Sequence, residues 1–369
     1  MEEIRIIVSG GGTGGHIFPA ISIANALKAR YPERVKILFV GATGRMEMER
    51  VPAAGYEIVG LPIRGFDRTH LLNNIKTLYM LFKSMIKARH LIKTFKPHVA
   101  VGVGGYASGP LLRAAAANGV PTVIQEQNSY AGVTNKLLSA KASKICVAYT
   151  GMERFFPAEK ILLTGNPVRQ DLLQSNDLKA EAQDFYHLDP AKKTLLIIGG
   201  SLGARTLNES VMVYMDELEA ATDVQVIWQT GTYYYKKILE RLKGRTLKNV
   251  HVVEFVQKMN LAYAAADLII SRAGASSISE LCLLQKAVIL VPSPNVAEDH
   301  QTKNALALVK EDAAVMVKDQ EARSTLMPRA LTLIHQPEKL AKLSTNILKL
   351  AQHNSAERIA DEIFKLIKD

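Results

Sequence analysis

The sequence predicts an α/β protein built from two doubly wound parallel sheets, and three observations carry that expectation. Short β-branched runs recur along the whole chain and alternate with helical patterns of about 10–15 residues, the signature of βαβ units. The runs are apolar at nearly every position rather than at alternate ones, as strands of a parallel sheet covered on both faces must be. The pattern also restarts. Residues 4 and 194 each open a strand that runs into a glycine-rich turn and then a helix. A chain of 369 residues, 48% of them hydrophobic, is long enough for two such domains, each burying its own core.

In the first half the expected strands are IRIIVSG (4–10), VKILFVG (35–41), VAVGVGG (99–105), PTVIQEQ (121–127) and KICVA (144–148). In the second half they are TLLIIGG (194–200), VQVIWQTG (224–231), VHVVEFV (250–256), DLIISRAG (267–274) and AVILVP (287–292). The junction falls near GNPVR (165–169), which gives domains 1–165 and 166–350 and a tail 351–369. In open sheets of this kind ligands bind beyond the carboxyl ends of the strands. Two such domains facing each other predict a shared central cleft.

Composition narrows the function classes. It excludes a disordered, collagenous or disulfide-scaffolded chain. Cys146 and Cys282 both lie in apolar runs and read as buried thiols of a reduced compartment, not a bridge or metal site. The apolar run after the acidic start MEEIRIIVSGGG is too short for a signal peptide, and no uncharged stretch reaches the ~18 residues of a membrane span. The expectation is a soluble intracellular protein, unless it sits on a membrane surface. The net charge of +11 is one-sided: residues 1–165 hold 21 Lys+Arg against 10 Asp+Glu, and the remainder holds 25 of each. A basic first half implies an anionic neighbour such as nucleic acid, a phosphorylated substrate or acidic lipid.

The glycine turns are where chemistry is expected. The first, SGGGTGGHIFPA (9–20), fits G-x-G-x-x-G at Gly10, Gly12 and Gly15. A dinucleotide site also needs an acid at the end of the second strand for the ribose, and that strand ends VGATGRM with no carboxylate before Glu47. The turn instead offers bare N–H groups at a helix start, suited to an anion. It also carries His16, either a structural imidazole or a general base. In the second turn, GVGGYASGP (102–110), Gly104 and Gly105 permit close approach to the backbone, and Tyr106 and Ser108 can hydrogen-bond. A tight strand–helix turn with no ligand reads equally well there.

The third turn, IIGGSLGARTLNES (197–210), reads as a phosphate cradle with Ser201 as hydroxyl donor. Gly199 to Gly203 also fit G-x-S-x-G, the nucleophile elbow of serine hydrolases, with Asp267 and His300 as the nearest later acid and imidazole. That rival leaves the first two glycine turns without a purpose. In the fourth element, SRAGASSISELCLLQKAVILVPSP (271–294), Ala275, Ser276 and Ser277 open a helix that carries Glu280 on its first turns. N–H groups and hydroxyls at a helix start hold a diphosphate. A carboxylate one turn in accepts bonds from both vicinal hydroxyls of a ribose, or is simply an acid well placed near a helix N-terminus. EDHQTKNA (298–305) adds Gln301 and Asn304 for sugar hydroxyls. With no Asp-x-Asp pair and no P-loop, helix N-termini and Arg169 are left to hold the charge of a departing diphosphate. The combination predicts a nucleotide-sugar transferase that uses neither metal nor cofactor.

GGTGGH, GGYASGP, EQN, GNPVR, GGSLGAR and SRAGASSISE, in this order and spacing, resemble the undecaprenyldiphospho-muramoylpentapeptide β-N-acetylglucosaminyltransferases of bacterial peptidoglycan synthesis, from residue 4 to about residue 305. The resemblance implies a GT-B fold, two Rossmann-like domains whose C-terminal helix returns to the first domain. It implies transfer of N-acetylglucosamine, with inversion, from UDP-GlcNAc to the 4-hydroxyl of the MurNAc-pentapeptide of lipid I, giving lipid II. The setting it implies is the cytoplasmic side of the cell membrane, with anionic lipids and no nucleic acid as partner. By the same match, Thr13, Gly14, Gly15 and Asn128 contact the donor, and Arg169 and Ser201 lie near the diphosphate. Val256 meets the uracil through its backbone. Ala275, Ser276, Ser277, Ile278, Ser279 and Glu280 hold the diphosphate and ribose, and Gln301 a sugar hydroxyl. His16 resembles the proposed base. Some members have a histidine where this chain has Gln125, so His16 and Glu126 remain as candidate bases.

The segment 68–98 departs from a plain globular reading. It mixes Leu78, Tyr79, Phe82 and Ile86 with Lys76, Lys83, Lys87 and Arg89, and apolar side chains cover more of the helix than one core face needs. One reading is a core helix with a solvated lysine face. The other, favoured by a lipid-linked acceptor, has Tyr79, Phe82 and Ile86 dipping into a membrane interface while Lys83 and Lys87 meet anionic headgroups.

Overall fold

The computed structural model describes residues 3–65, 74–168, 172, 178–296 and 299–367. The chain divides into two compact units, Met1–Val168 with Gln352–Asp369, and Arg169–Ala351.

In the first unit the chain runs β1 (Ile4–Ser9), α1 (Gly14–Arg30), β2 (Val35–Ala42), α2 (Glu47–Ala53), β3 (Glu57–Leu61), α3 (Asn74–Phe95), β4 (Val99–Gly102), α4 (Ser108–Ala117), β5 (Thr122–Glu126), α5 (Val133–Ser139), β6 (Lys144–Val147) and β7 (Ile161–Leu163). The strands form one parallel sheet in the order β3-β2-β1-β4-β5-β6-β7. Successive side chains of a strand point to opposite faces, and here both faces are covered. Ile6 and Val8 pack with Ile17, Ile23 and Leu27 of α1, whereas Ile7 packs with Ala88 and Ile92 of α3 and Leu111 and Leu112 of α4. That double burial is why the strand runs are apolar throughout.

The second unit runs α6 (Lys179–Phe185), β8 (Lys193–Ile198), α7 (Arg205–Val213), α8 (Met215–Ala220), β9 (Val224–Gln229), α9 (Tyr235–Leu242), β10 (Val250–Val253), α10 (Met259–Ala265), β11 (Leu268–Ser271), α11 (Ala275–Leu283), β12 (Val288–Leu290), α12 (His300–Val309), β13 (Val315–Met316), α13 (Asp319–Ile334) and α14 (Pro337–Leu348). Its parallel sheet has the order β10-β9-β8-β11-β12-β13. The last helix, α15 (Ser355–Phe364), belongs to the first unit. Ile359, Ala360 and Ile363 enter the α1 side of that core, Arg30 pairs with Asp361, and the Phe364 ring meets Tyr31 edge-on at 5.1 Å.

Three strands have no counterpart in the sequence expectation: β3, β7 and β13. Each lies at a sheet edge and is only partly buried; β7 and β13, though apolar, have just three and two residues, too few to stand out as a run. Nine of the ten expected strands overran their carboxyl ends, by one to three residues, whereas β2 runs one residue further than expected, to Ala42.

In each sheet the strand order reverses at one place, between β1 and β4 and between β8 and β11. Crevices at such reversals are where open α/β sheets bind ligands. The first and second glycine turns follow β1 and β4; the third and fourth follow β8 and β11.

Helix α3 answers the question left by its sequence. Its buried side chains are Thr77, Ser84, Ala88 and Ile92, small or polar for the most part, while Ile75, Leu78, Tyr79, Phe82 and Ile86 are exposed. The helix packs on the core through Ala88 and Ile92, with Leu81, Leu91 and Phe95 against it, while the Tyr79, Phe82 and Ile86 side chains lie outside that core face. Lys83 lies over the Tyr79 ring, 4.7 Å from its centroid. Lys87, expected among the headgroup contacts, instead donates to the Gly60 carbonyl at 2.8 Å and is tied to β3. Among the described residues no helix is long and apolar enough to cross a membrane.

Candidate active site

The first two turns of the first unit are built against each other. Thr13 is the N-cap of α1 in extended conformation. The N–H groups of His16 and Ile17 donate to its carbonyl at 3.1 Å, which leaves those of Gly14 and Gly15 outside the helical ladder. Thr13 and Gly15 are exposed and His16 is half-buried. The Cδ2–Nε2 edge of the His16 ring rests on Gly104, where a Cβ would come within 2.6 Å of the ring. Gly105 has φ +87° and sits on the Gly11 carbonyl, leaving no room for a side chain. The second turn needs its glycines because the first turn occupies the space where side chains would stand.

His16 Nδ1 lies 3.0 Å from the Gly11 carbonyl oxygen and 3.3 Å from Thr13 Oγ1. A carbonyl only accepts, so Nδ1 carries the hydrogen, and in the neutral ring the lone pair falls to Nε2. Tyr106 is 47% exposed and packs its phenol against Gly65. Ser108, expected as a ligand donor, is fully buried; its hydroxyl is spent on the carbonyls of Gly104 at 2.8 Å and Ser9 at 3.1 Å.

Glu126 is corrected more sharply. Its carboxylate is 2% exposed. One oxygen accepts from the Asn128 N–H at 3.1 Å and Asn128 Nδ2 at 3.3 Å; the other accepts from the Gly132 N–H at 3.0 Å and Asn135 Nδ2 at 2.9 Å. Both oxygens are engaged by these donors in a buried position, so Glu126 shapes the loop after β5. The same bonds turn Asn128 toward Glu126. Gln125 is buried beside them, donating to Asn166 Oδ1 at 2.9 Å.

In the second unit Gly203 and Gly231 press the third turn against the loop after β9, each in the left-handed region with no space for a Cβ. Gln229, buried at the end of β9, ties two turns together: Nε2 donates to the Gly200 carbonyl at 2.8 Å, and Oε1 accepts the Val256 N–H at 3.0 Å. The Val256 N–H is therefore already engaged, and its side chain is buried. Ser201 is exposed on the turn.

At the start of α11 the Ile278 N–H donates to the Gly274 carbonyl at 3.0 Å, leaving the N–H groups of Ala275, Ser276 and Ser277 outside the ladder. Ser276 Oγ is buried with no hydrogen-bond partner among the described residues. Glu280 Oε2 accepts the hydroxyl of buried Tyr263 at 2.9 Å. Within this segment the Ile278 side chain belongs to the core, and Ser279 Oγ donates to the Ala275 carbonyl at 3.0 Å. Gln301 spends its amide oxygen on the Ser293 N–H at 2.9 Å, and Asn304 is fully buried against the Ala273 carbonyl. Arg169 lies outside the described residues.

The hydrolase rival fails on position. Asp267 precedes β11, and its Oδ2 accepts the Thr194 N–H at 2.8 Å near the amino end of β8, whereas Ser201 follows the carboxyl end. The four strand residues between them span about 13 Å, beyond any triad. Burial pushes both Cys146 and Cys282 up to about 12, which removes thiolate chemistry.

Three residues at the site escaped the sequence. Glu47, which marks only the lack of an earlier carboxylate after the second strand, lies buried under the first turn. Tyr263 and Gln229 gave no motif; only the return of α10 and β9 to the turns brings them in.

Residues 6–147 match the glycosyltransferase family 28 N-terminal domain, and residues 194–363 its C-terminal domain. The UDP-N-acetylglucosamine--N-acetylmuramyl-(pentapeptide) pyrophosphoryl-undecaprenol N-acetylglucosamine transferase of Parabacteroides distasonis is 64% identical over 367 residues, covering 100% of this chain and 99% of the relative. The Phocaeicola vulgatus enzyme of the same name is 62% identical, with coverage of 99% and 97%. Among solved structures, Acinetobacter baumannii MurG superposes with a TM-score of 0.79 at 27% identity, covering 98% of this chain and 99% of that one. Glycine turns at the strand-order reversals, His16 on the first and Glu280 on the fourth, are thus set in a chain that belongs to glycosyltransferase family 28, and within it to the UDP-N-acetylglucosamine--N-acetylmuramyl-(pentapeptide) pyrophosphoryl-undecaprenol N-acetylglucosamine transferases.

Proposed function

We propose that this chain moves N-acetylglucosamine from UDP-GlcNAc to the 4-hydroxyl of the muramoyl residue of lipid I, inverting the anomeric centre and giving lipid II. The observation that carries the donor half is the start of α11, where three N–H groups outside the helical ladder stand one turn from a carboxylate oriented by Tyr263. Those N–H groups and the helix dipole suit a diphosphate, and Glu280 suits the ribose hydroxyls. The Val256 carbonyl suits the N3–H of uracil, and Ser201 and the Gln301 amide nitrogen suit phosphate and sugar oxygens. The acceptor half rests on family membership and on the first unit's reversal point.

The reaction is a single displacement. The acceptor hydroxyl gives its proton to His16 Nε2 as its oxygen bonds to the anomeric carbon, and the bond to UDP breaks with its electron pair on the phosphate oxygen. Developing charge there is met by preorganised donors. Thr13, Gly14 and Gly15 place the reacting sugar, and Tyr106 borders the acceptor. The apolar face of α3 and its lysines bring the enzyme to the anionic inner leaflet as a peripheral protein.

The test is to give the purified chain UDP-GlcNAc and lipid I in phospholipid vesicles and follow both UDP and lipid products. Equal formation of UDP and β-linked lipid II is expected. Binding of UDP-GlcNAc without turnover on any acceptor makes the chain a nucleotide-binding module, and UDP release without lipid II removes the acceptor assignment.

A further inference from the structure

We infer that Glu47 is a positioning residue for His16, acting through the single peptide group that joins Gly11 to Gly12. This rests on the reading of His16 as the base.

The two ends of that peptide are both engaged. Its N–H, on Gly12, donates to Glu47 Oε2 at 2.9 Å; its C=O, on Gly11, faces His16 Nδ1 at 3.0 Å. Carboxylate, peptide and imidazole thus form one unbroken line of hydrogen bonds. The other carboxylate oxygen, Oε1, accepts the Ala42 N–H at 2.9 Å, which fixes the acid to the end of β2. Glu47 is 1% exposed. The α-carbons of Gly11 and Gly41 lie directly on it; a Cβ on Gly41 would stand 2.5 Å from Glu47 Cγ. From the other side Gly105 presses on the Gly11 carbonyl. The peptide is held between a carboxylate and a second glycine turn.

A peptide whose N–H donates to a carboxylate is polarised toward its carbonyl oxygen, and each bond in such a chain strengthens the next by about 10–30%. The Gly11 carbonyl is therefore a stronger acceptor than an ordinary turn carbonyl. It holds the hydrogen on Nδ1, which leaves Nε2 as the basic nitrogen, and it stabilises the imidazolium formed when Nε2 takes the acceptor's proton. Thr13 Oγ1, 3.3 Å from Nδ1, accepts from the same hydrogen. The acid does not touch substrate; its effect travels through one peptide. A neutral side chain of the same shape would satisfy only one of the two N–H groups, since an amide has one acceptor oxygen.

The experiment begins with the unmodified protein. Side-chain ¹⁵N NMR should show His16 as a single Nδ1–H tautomer; an Nε2–H ring overturns the relay without any variant being made. Glu47→Gln should then mix the tautomers and lower kcat about tenfold, with the KM for UDP-GlcNAc unchanged. In a His16→Ala background the same substitution should change kcat by less than about twofold, because its route to the reaction is gone. An equal loss with and without His16 makes Glu47 a mere anchor of the turn and overturns the proposal. If His16→Ala alone retains kcat, the base assignment fails. If His16→Ala loses kcat while the ring carries its hydrogen on Nε2, only the relay fails.

Discussion

Tyr263 holds Glu280 in place: the buried phenol donates to Glu280 Oε2 at 2.9 Å, from α10 to the second turn of α11. A carboxylate already oriented loses less entropy on meeting a ribose than one that must be ordered first. Glu280→Ala should weaken UDP binding strongly, since hydrogen bonds to a charged acceptor contribute roughly 1.5–3 kcal/mol each. Tyr263→Phe should weaken it by about 1 kcal/mol, through orientation alone. Calorimetric titration with UDP checks both. Unchanged affinity in Glu280→Ala removes that carboxylate from the donor site.

His16→Ala should lower kcat by about two orders of magnitude, because a positioned base contributes 10²–10⁴-fold. The donor KM should stay near its original value, as expected for a contact made in the transition state. Steady-state kinetics at saturating acceptor separates the two parameters. If KM rises while kcat holds, the imidazole is a binding group.

Glu126→Gln tests the opposite assignment. The amide would present N–H to donors that now bond to a carboxylate, at a site where four such bonds meet. A loss of about 1–3 kcal/mol of stability is expected, read as a lower midpoint in urea. A base would behave otherwise: turnover would vanish while the midpoint stayed put.

These contrasts mark what the sequence could and could not convey. Strands β1, β2, β5, β8 and β9 are buried on both faces and announce themselves as apolar runs, whereas β7 and β13 are apolar but only three and two residues long, and β3 is interrupted by Glu57 and Gly60. The glycine turns were legible because close packing between turns admits no side chain: Gly105 against Gly11, Gly203 against Gly231. What holds a turn was not legible. Glu47 reaches Gly12 from 35 residues away, and Gln229 reaches Val256 from the neighbouring strand. Nor does sequence tell a hydroxyl aimed at a ligand from one turned inward, as with Ser108, whose hydroxyl donates to the Gly104 and Ser9 carbonyls.

Lys286 supplies a pH dependence of known sign. Burial pushes its ammonium down to about 8; Asp267 opposes the shift and Lys179 adds to it. The folded value lies below the ordinary lysine value of 10.5, so between pH 8 and 10.5 the unfolded chain binds more protons and stability rises with pH. Below pH 8 the cost is full. Lys286→Met should remove it and stabilise the protein at pH 7 by about 1–3 kcal/mol, less the bond from Nζ to the Ala266 carbonyl. Denaturation at pH 7, 8.5 and 10 checks this; a variant with the same rise across that range shows that Lys286 does not cause it.

The exposed face of α3 gives the membrane prediction. Phe82 is 64% exposed and Ile86 53%, so replacing both with Ser removes no core contact of consequence. The double variant should melt within a degree or two of the parent. Its binding to anionic vesicles should fall, since each side chain forfeits apolar area at the interface. Residues 51–100 carry eight Lys+Arg against two Asp+Glu, and each cation near an anionic surface adds about 1 kcal/mol. Parent binding should therefore weaken with salt, as charges beyond a Debye length of ~8–10 Å are screened, yet persist in part through the apolar contribution. Turnover of acceptor embedded in vesicles should fall with binding, whereas a water-soluble acceptor analogue should be used as before. Vesicle sedimentation and the two assays together decide it. Equal loss on both acceptors would place Phe82 and Ile86 in the catalytic machinery, and unchanged sedimentation would take α3 off the membrane.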